Sequence, residues 1–388
     1  MVGENKPPRG FPAAEYEARL DRTHRAMAES DIDALLLTTE ADIAYLSGFR
    51  TQFWRSPTRP WFLVVPKRGK PIAVIPEIGA ACMARGWIDD IRTWSSPHPT
   101  DDGVSLLTAT LSEYPGKVGL PMGRETHLRM PLAYFDALRA RLTGFEFVDA
   151  ARVMRDLRMV KSELEIAKIA YVCDRVSEVF SRAPDLFAAG QSDIEAFRAF
   201  KIECLRAGVD DVPYLVGGAG PGGYGNIISP PSGRRLQAGD VLILDTGCVF
   251  DGYYCDFDRN FAFGHADDAV RRAYETAYRA TEAGLAAARP GARCADLFHA
   301  MQMVLEAGGA LGNAVGRLGH GLGSELTEPP SHAPFDDTAL APGMVITLEP
   351  GMEFAPGRYM VHEENLVVRE DGAELLTRRA APELPVIA

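Results

Sequence analysis

Four acidic residues and one histidine stand at the margins of apolar runs between residues 240 and 370, where an unpaired charge is costly to bury. Asp245 closes Val241-Leu242-Ile243-Leu244, and Asp256 follows within Tyr253-Tyr254-Cys255-Asp256-Phe257-Asp258-Arg259. Gly247 and Asp251-Gly252 lie between them and carry turn chemistry, so a hairpin would bring the two acids together. His320 sits in Gly319-His320-Gly321-Leu322-Gly323, whose glycines permit close backbone approach. Glu349 ends the run Met344 to Leu348 just before Pro350-Gly351, and Glu363 follows Val361-His362 with Glu364 beside it. Singly, each acid reads as a turn former or a salt-bridge partner. Jointly, four carboxylates and an imidazole are the donor set of Mn²⁺, Fe²⁺, Co²⁺ or Zn²⁺ rather than of a thiolate-seeking ion. Four negative charges match two divalent ions roughly 3.5–4 Å apart, which would also neutralise the buried acids.

The elements that must position these groups follow from the rest of the chain. At 388 residues the chain is long enough for two domains. Its 46% hydrophobic and 24% charged content is that of a globular protein rather than a disordered or disulfide-scaffold chain. Lys and Arg total 41 against 53 Asp and Glu, for a net charge of −12, and the excess falls entirely beyond residue 160. Residues 161–388 hold 20 basic and 33 acidic side chains, whereas residues 1–160 are nearly neutral. An acidic surface disfavours nucleic acid and anionic membranes as partners. The six cysteines show no C-x-x-C spacing, as expected in a reducing compartment. Residues 1–12 are polar and proline-rich without a signal-peptide pattern, and no stretch approaches the ~18 apolar residues of a membrane span. A cytoplasmic protein is the expectation.

Helical periodicity over 14–30 precedes the short apolar run Ala34 to Leu37, and similar runs recur at Phe62–Val65 and Ile72–Ile75, with helical stretches near 78–86 and 130–142. This alternation indicates an α/β first domain over 12–157. A long helix then starts at Ser162, with Glu163 and Glu165 in its first turn, followed by a second at 191–207. Gly217 to Gly225 breaks all periodicity and reads as a loop, being neither a Walker nor a Rossmann glycine pattern. Strands at 241–245, 253–263, 345–349 and 361–368, around helices at 267–288 and 294–308, suggest an α+β second domain over 158–388 with a largely antiparallel sheet.

These residues resemble the pita-bread metallopeptidases, the family of Xaa-Pro dipeptidase, methionine aminopeptidase and creatinase. The likeness rests on Asp245-Thr246-Gly247, on Gly252-Tyr253 with Asp256 and Arg259, and on Gly319-His320-Gly321 with Gly323. It continues through Gly343-Met344 to Glu349-Pro350-Gly351 and on to Glu363. Tyr45-Leu46-Ser47-Gly48-Phe49 and Lys161-Ser162 with Glu165-Ile166 are similar to the prolidase and creatinase branch. The resemblance implies Asp245, Asp256, His320, Glu349 and Glu363 as ligands of two divalent metal ions, with Glu364 the nearest competitor for the last place. It also implies a homodimer, a dipeptide or other small carboxylate-bearing substrate, proton transfer by Glu349, and His320 orienting the substrate.

Three departures bear on function. Peptidases of this family carry a histidine where Thr327 precedes Glu328-Pro329, and another a few residues before the stretch matching Pro231-Ser232-Gly233-Arg234, here preceded by Ile227 and Ile228. His332, in Pro-Pro-Ser-His, is a candidate replacement. Asp258 stands where the family usually has Thr, either paired with Arg259 or serving as an extra acid-base group. Phe53-Trp54-Arg55 and Arg59-Pro60-Trp61 either stack internally or, as the resemblance suggests, present Trp54, Arg55 and Arg59 to a substrate carboxylate across a dimer. The missing histidines leave open a non-peptidase relative, such as ectoine hydrolase or dimethylsulfoniopropionate lyase. A non-catalytic peptide-binding module would be expected to have lost ligands that are kept here.

Overall fold

The strands Ala34–Leu37, Phe62–Pro66 and Ile72–Pro76 are buried at every position, which an apolar run without alternation requires when helices cover both faces of a sheet. Leu35, Leu37, Leu63, Val65, Ala73 and Ile75 point into one core, which also takes up side chains of helices Ala13–Glu29 and Ala151–Met159. The alternate residues Ala34, Leu36, Phe62, Val64, Ile72 and Val74 enter a second core with helices Val104–Ser112 and Leu132–Arg141. The sheet is completed by Asp90–Trp94 on one edge and by Lys117–Leu120 and Glu146–Asp149 on the other. The computed structural model describes residues 6–312 and 316–388; the first five residues of the polar N-terminal segment lie outside the described residues. Two compact units result, Pro8–Arg158 and Met159–Ala388, the latter with Lys6 and Pro7.

In the second unit, Ser162 caps helix Glu163–Ser181 in a reciprocal box. Its hydroxyl accepts from Glu165 N, and the Glu165 carboxylate accepts from Ser162 N at 2.9 Å. Ser192 and Glu195 repeat the device on helix Asp193–Ala207. One sheet runs in the order Val386–Ile387, Phe257–Phe263, Asp240–Phe250, Asp211–Pro221, with Tyr253–Tyr254 paired to Asp240–Phe250. A second runs Glu328–Ser331, His320–Gly321, Val345–Leu348, Glu364–Arg369, Gly372–Leu375, and Gly351–Ala355 pairs with Arg358–Val361 in a two-stranded sheet. Pairing is antiparallel except between Phe257–Phe263 and Val386–Ile387. Helices Asp268–Ala287 and Cys294–Ala307 share a core with the second sheet through Ala277, Leu297, Met301, Ile346 and Leu348. This α/β unit followed by an α+β pita-bread unit is the expected fold class.

Three local expectations are corrected. Gly217 to Pro221 is not loop but the end of an eleven-residue strand. Its glycines are there because a Cβ on Gly217 would lie 2.1 Å from the Ile243 carbonyl oxygen and one on Gly220 2.5 Å from that of Gly223. Asp245 lies in the middle of Asp240–Phe250 rather than at a strand end. The 253–263 run is split at Cys255-Asp256, because the Asn365 side chain takes both the N–H and the carbonyl of Asp256 in place of a ladder partner.

Candidate metal centre

The two sheets carry the acids to one place. Phe257–Phe263 pairs with Asp240–Phe250, so that Asp258 faces Asp245. In the other sheet Leu348 pairs with Glu364, which brings the following Glu349 and the preceding Glu363 to the same end of that ladder. His320 is fixed from below: its backbone N–H donates to Thr347 Oγ1 at 3.1 Å and its ring Nδ1 donates to the Gly321 carbonyl at 2.8 Å. Asp256, His320 and Glu363, all buried, each present one ligand atom within 4.8 Å of the others. His320 Nε2 lies 3.5 Å from Asp256 Oδ2 and 3.6 Å from Glu349 Oε1. Asp245 accepts a hydrogen bond from the Tyr214 hydroxyl at 3.1 Å on Oδ2, while its Oδ1 has no partner among the described residues.

The electrostatics of these groups suit a cation. Burial pushes Asp245 and Glu349 up to about 7, with Arg317 restraining Glu349 and Asp245 raising it. Burial and then the neighbouring acids hold Asp256 and Glu363 well above the ordinary carboxylate range. His320 is driven down to about 3, first by burial and then by Arg317, so its ring is neutral. With Nδ1 committed as donor, Nε2 offers a lone pair towards two carboxylates, a repulsive arrangement until a positive ion lies between them. Glu349 Oε1 and Glu363 Oε1, both buried, likewise have no hydrogen-bond partner among the described residues. Hard oxygens plus one oriented imidazole fit divalent metal ions.

Glu364, the competitor for the last ligand place, is spent elsewhere. Its carboxylate takes Arg259 Nη2 at 2.9 Å, the Thr377 hydroxyl and the Ala380 N–H at 3.0 Å. Thr327 is exposed on the loop before Glu328–Ser331, and the adjacent Glu328 is buried against Lys161 at 2.9 Å. His332 is fully buried, pressed against Gly319, where a Cβ would come within 2.3 Å of its ring; it follows Ser331, the partner of His320 in the ladder, and its N–H donates to the Gly319 carbonyl at 2.8 Å. In the first unit, Trp54 is buried beside Phe49 and Trp61, and Arg55 is exposed. Trp54 stacks with Arg129, whose guanidinium lies 4.9 Å from its ring and collects the carbonyls of Phe53, Trp54, Ser56, Thr58 and Arg59. Arg59 lies over Phe53 at 5.5 Å.

Sequence reasoning missed three contributors. Tyr214 is hidden in a stretch dominated by glycine, Asn365 acts only through backbone atoms of a residue 109 positions away, and Arg317 becomes relevant only because its Nε comes 3.9 Å from Glu349 Oε1.

Residues 167–371 match metallopeptidase family M24, and residues 19–160 match the creatinase/prolidase N-terminal domain. The chain belongs to metallopeptidase family M24. This makes it a metal-dependent hydrolase. Among relatives of the M24 chain, the probable dipeptidase PepE of Mycobacterium tuberculosis is 30% identical over 94% of this chain and 95% of its own. The putative dipeptidase YkvY of Bacillus subtilis is 28% identical over 93% and 97%. The crystal structure of dipeptidase PepE from Mycobacterium ulcerans aligns with a TM-score of 0.82 at 28% identity, covering 97% of this chain and 99% of that one. A prolidase from Thermococcus sibiricus aligns with a TM-score of 0.87 at 23% identity over 97% and 100%, a likeness of fold. Among the described residues no helix is long and apolar enough to cross a membrane.

Proposed function

We propose that this M24 hydrolase holds two divalent ions on Asp245, Asp256, His320, Glu349 and Glu363 and cleaves a C–N bond in a small, carboxylate-bearing substrate. The observation that carries the reading is the lone pair of His320 Nε2 facing Asp256 and Glu349, in a group of acids for which Arg317, 3.9 Å from Glu349 Oε1, is the nearby cation among the described residues. The dipeptidase names of the relatives support an amide as the bond cleaved. When bound, the metals supply a Lewis acid and lower the pKa of water towards neutrality.

The protein groups do the rest. Glu349 combines burial, which raises its proton affinity, with partial exposure of its side chain, and so suits passing a proton to the leaving nitrogen. Arg317 keeps about a third of its side chain exposed beside Glu349 and can hold the substrate carboxylate or the charge growing on the scissile oxygen. Trp54, Arg55 and Arg59 belong to the proposed substrate set on the resemblance alone, as does the homodimer.

One observation favours a second reading, a non-peptidase C–N or elimination chemistry. The position before Glu328 carries an exposed Thr327 hydroxyl instead of an imidazole, and His332 is enclosed. A metal-supplemented screen over Xaa-Pro and other dipeptides, cyclic amidines and methylated sulfonium or ammonium solutes separates the readings. Turnover of dipeptides supports the first, turnover of the solutes alone supports the second, and a fully active, metal-free Asp256→Ala variant sinks both.

A further inference from the structure

Asp258 is a carboxylate that neither the fold nor the five-residue ligand set accounts for. It is 1% exposed. Its Oδ2 has no hydrogen-bond partner among the described residues, and its Oδ1 receives only a long 3.4 Å contact from Asn260 Nδ2, an amide that spends itself on the Val361 carbonyl at 2.6 Å. The neighbouring Arg259 does not pair with it. That guanidinium donates to the backbone carbonyls of Asp258, Glu363 and Arg378 and to the Glu364 carboxylate. As an anion the side chain would be buried with no cation in contact among the described residues, a costly state for a carboxylate.

Its register supplies the missing partner. Asp258 lies directly opposite Asp245 in the antiparallel ladder. Opposed residues leave the same face of a sheet with Cβ atoms about 4.5–5.5 Å apart, and Asp245 also holds a partnerless oxygen, Oδ1. The acids that act on Asp258 most are Asp245, Glu364 and Glu349, with Arg259 the opposing cation. Two orphaned carboxylate oxygens issuing from paired positions form the donor geometry of a cation site.

We propose that Asp258 is a further ligand of the metal centre, sharing with Asp245 one of the divalent ions. This deepens the dinuclear reading and rests on it. An added anionic oxygen biases that ion towards a hard, oxygen-preferring metal such as Mn²⁺ over Zn²⁺, and it places a ligand where the family pattern has a neutral hydroxyl.

The test is metal binding rather than turnover. Chelator-stripped wild type, Asp258→Thr, Asp258→Asn and Asp256→Ala are titrated calorimetrically with Mn²⁺ and with Zn²⁺, metal content is measured by mass spectrometry, and the Co²⁺-loaded forms are compared by visible absorption. Wild type taking up two ions, with both Asp258 variants losing tenfold or more in Mn²⁺ affinity for one of them and shifting the Co²⁺ bands, is the expected result. Two ions bound with wild-type affinity and spectrum by Asp258→Thr and the shape-preserving Asp258→Asn overturns the Asp258 inference alone. A wild type that binds one ion, weakened in the Asp258 variants, keeps Asp258 as a ligand and overturns the dinuclear reading. A wild type that binds none overturns both.

Discussion

Glu363 and Glu364 are adjacent, both buried, and chemically identical, yet they occupy opposite electrostatic situations. Consecutive residues at the start of a strand leave opposite faces. Glu364 enters a closed arrangement of Arg259, Thr377 and the Ala380 N–H, with Arg379 Nη1 at 3.5 Å, in which its carboxylate is hydrogen-bonded and paired. Glu363 enters a gathering of Asp256, His320 and Glu349 with an oxygen left over. A buried acid that the protein has paired is part of the scaffold. One kept among like charges is being held for something the chain does not itself provide.

Exchanging the roles of the two glutamates gives the largest expected effect. Glu363→Ala should lower kcat/KM by roughly 10⁴-fold, about 5 kcal/mol at a tenfold per 1.36 kcal/mol, while metal-free stability stays level or rises because one repelling acid is gone. Steady-state kinetics with denaturant unfolding of the metal-free protein reads both, and unchanged activity would break the contrast. Arg259→Met attacks the other side. It strands the Glu364 carboxylate and should cost about 3–5 kcal/mol of stability whether or not metal is present, as measured by urea unfolding; a loss seen only in the metallated form would mean that Glu364 belongs to the centre after all.

The pH dependence of stability separates the same two regions more finely. A carboxyl whose folded pKa is raised contributes stability that is whole below its unfolded value near 4 and is lost as pH rises through the folded value. For Asp245 and Glu349, raised by burial to about 7, the metal-free protein should therefore lose stability between roughly pH 4 and 8. Its melting temperature should fall by roughly 3–6 °C from pH 5.5 to 8, and the slope should flatten in Asp245→Asn. Saturating Mn²⁺ should reverse the slope, since ligands bind metal deprotonated. The smallest effect is at the rim, where Arg317→Ala should raise KM about tenfold, ~1.4 kcal/mol, with kcat less affected and partial recovery in Arg317→Lys.

How far the centre could be read from residues alone differs from one position to the next. His320 and Glu349 announce themselves, because a glycine-flanked histidine and an acid followed by Pro-Gly at the end of an apolar run have few purely structural explanations. The strands Ala34–Leu37, Phe62–Pro66 and Ile72–Pro76 are equally plain, since a short run with no polar position can only be covered on both faces. The glycine-rich end of Asp211–Pro221 hid its strand, because what excludes side chains there is the backbone of other segments, Ile243 and Gly223 among them. Asn365 and Arg317 carried no signal for the same reason: their partners are set by pairing between distant segments.

The sequence by itself determined the two-unit α/β and α+β architecture and the inventory of oxygen donors, because hydrophobic period and residue type are local properties. Only the tertiary structure decided which donors are spent. Whether an acid is a ligand or a strut depends on which face of a strand it leaves and on whether an arginine from elsewhere meets it there, and Coulomb energies in a buried site turn on distances of a few ångströms that no spacing along the chain specifies.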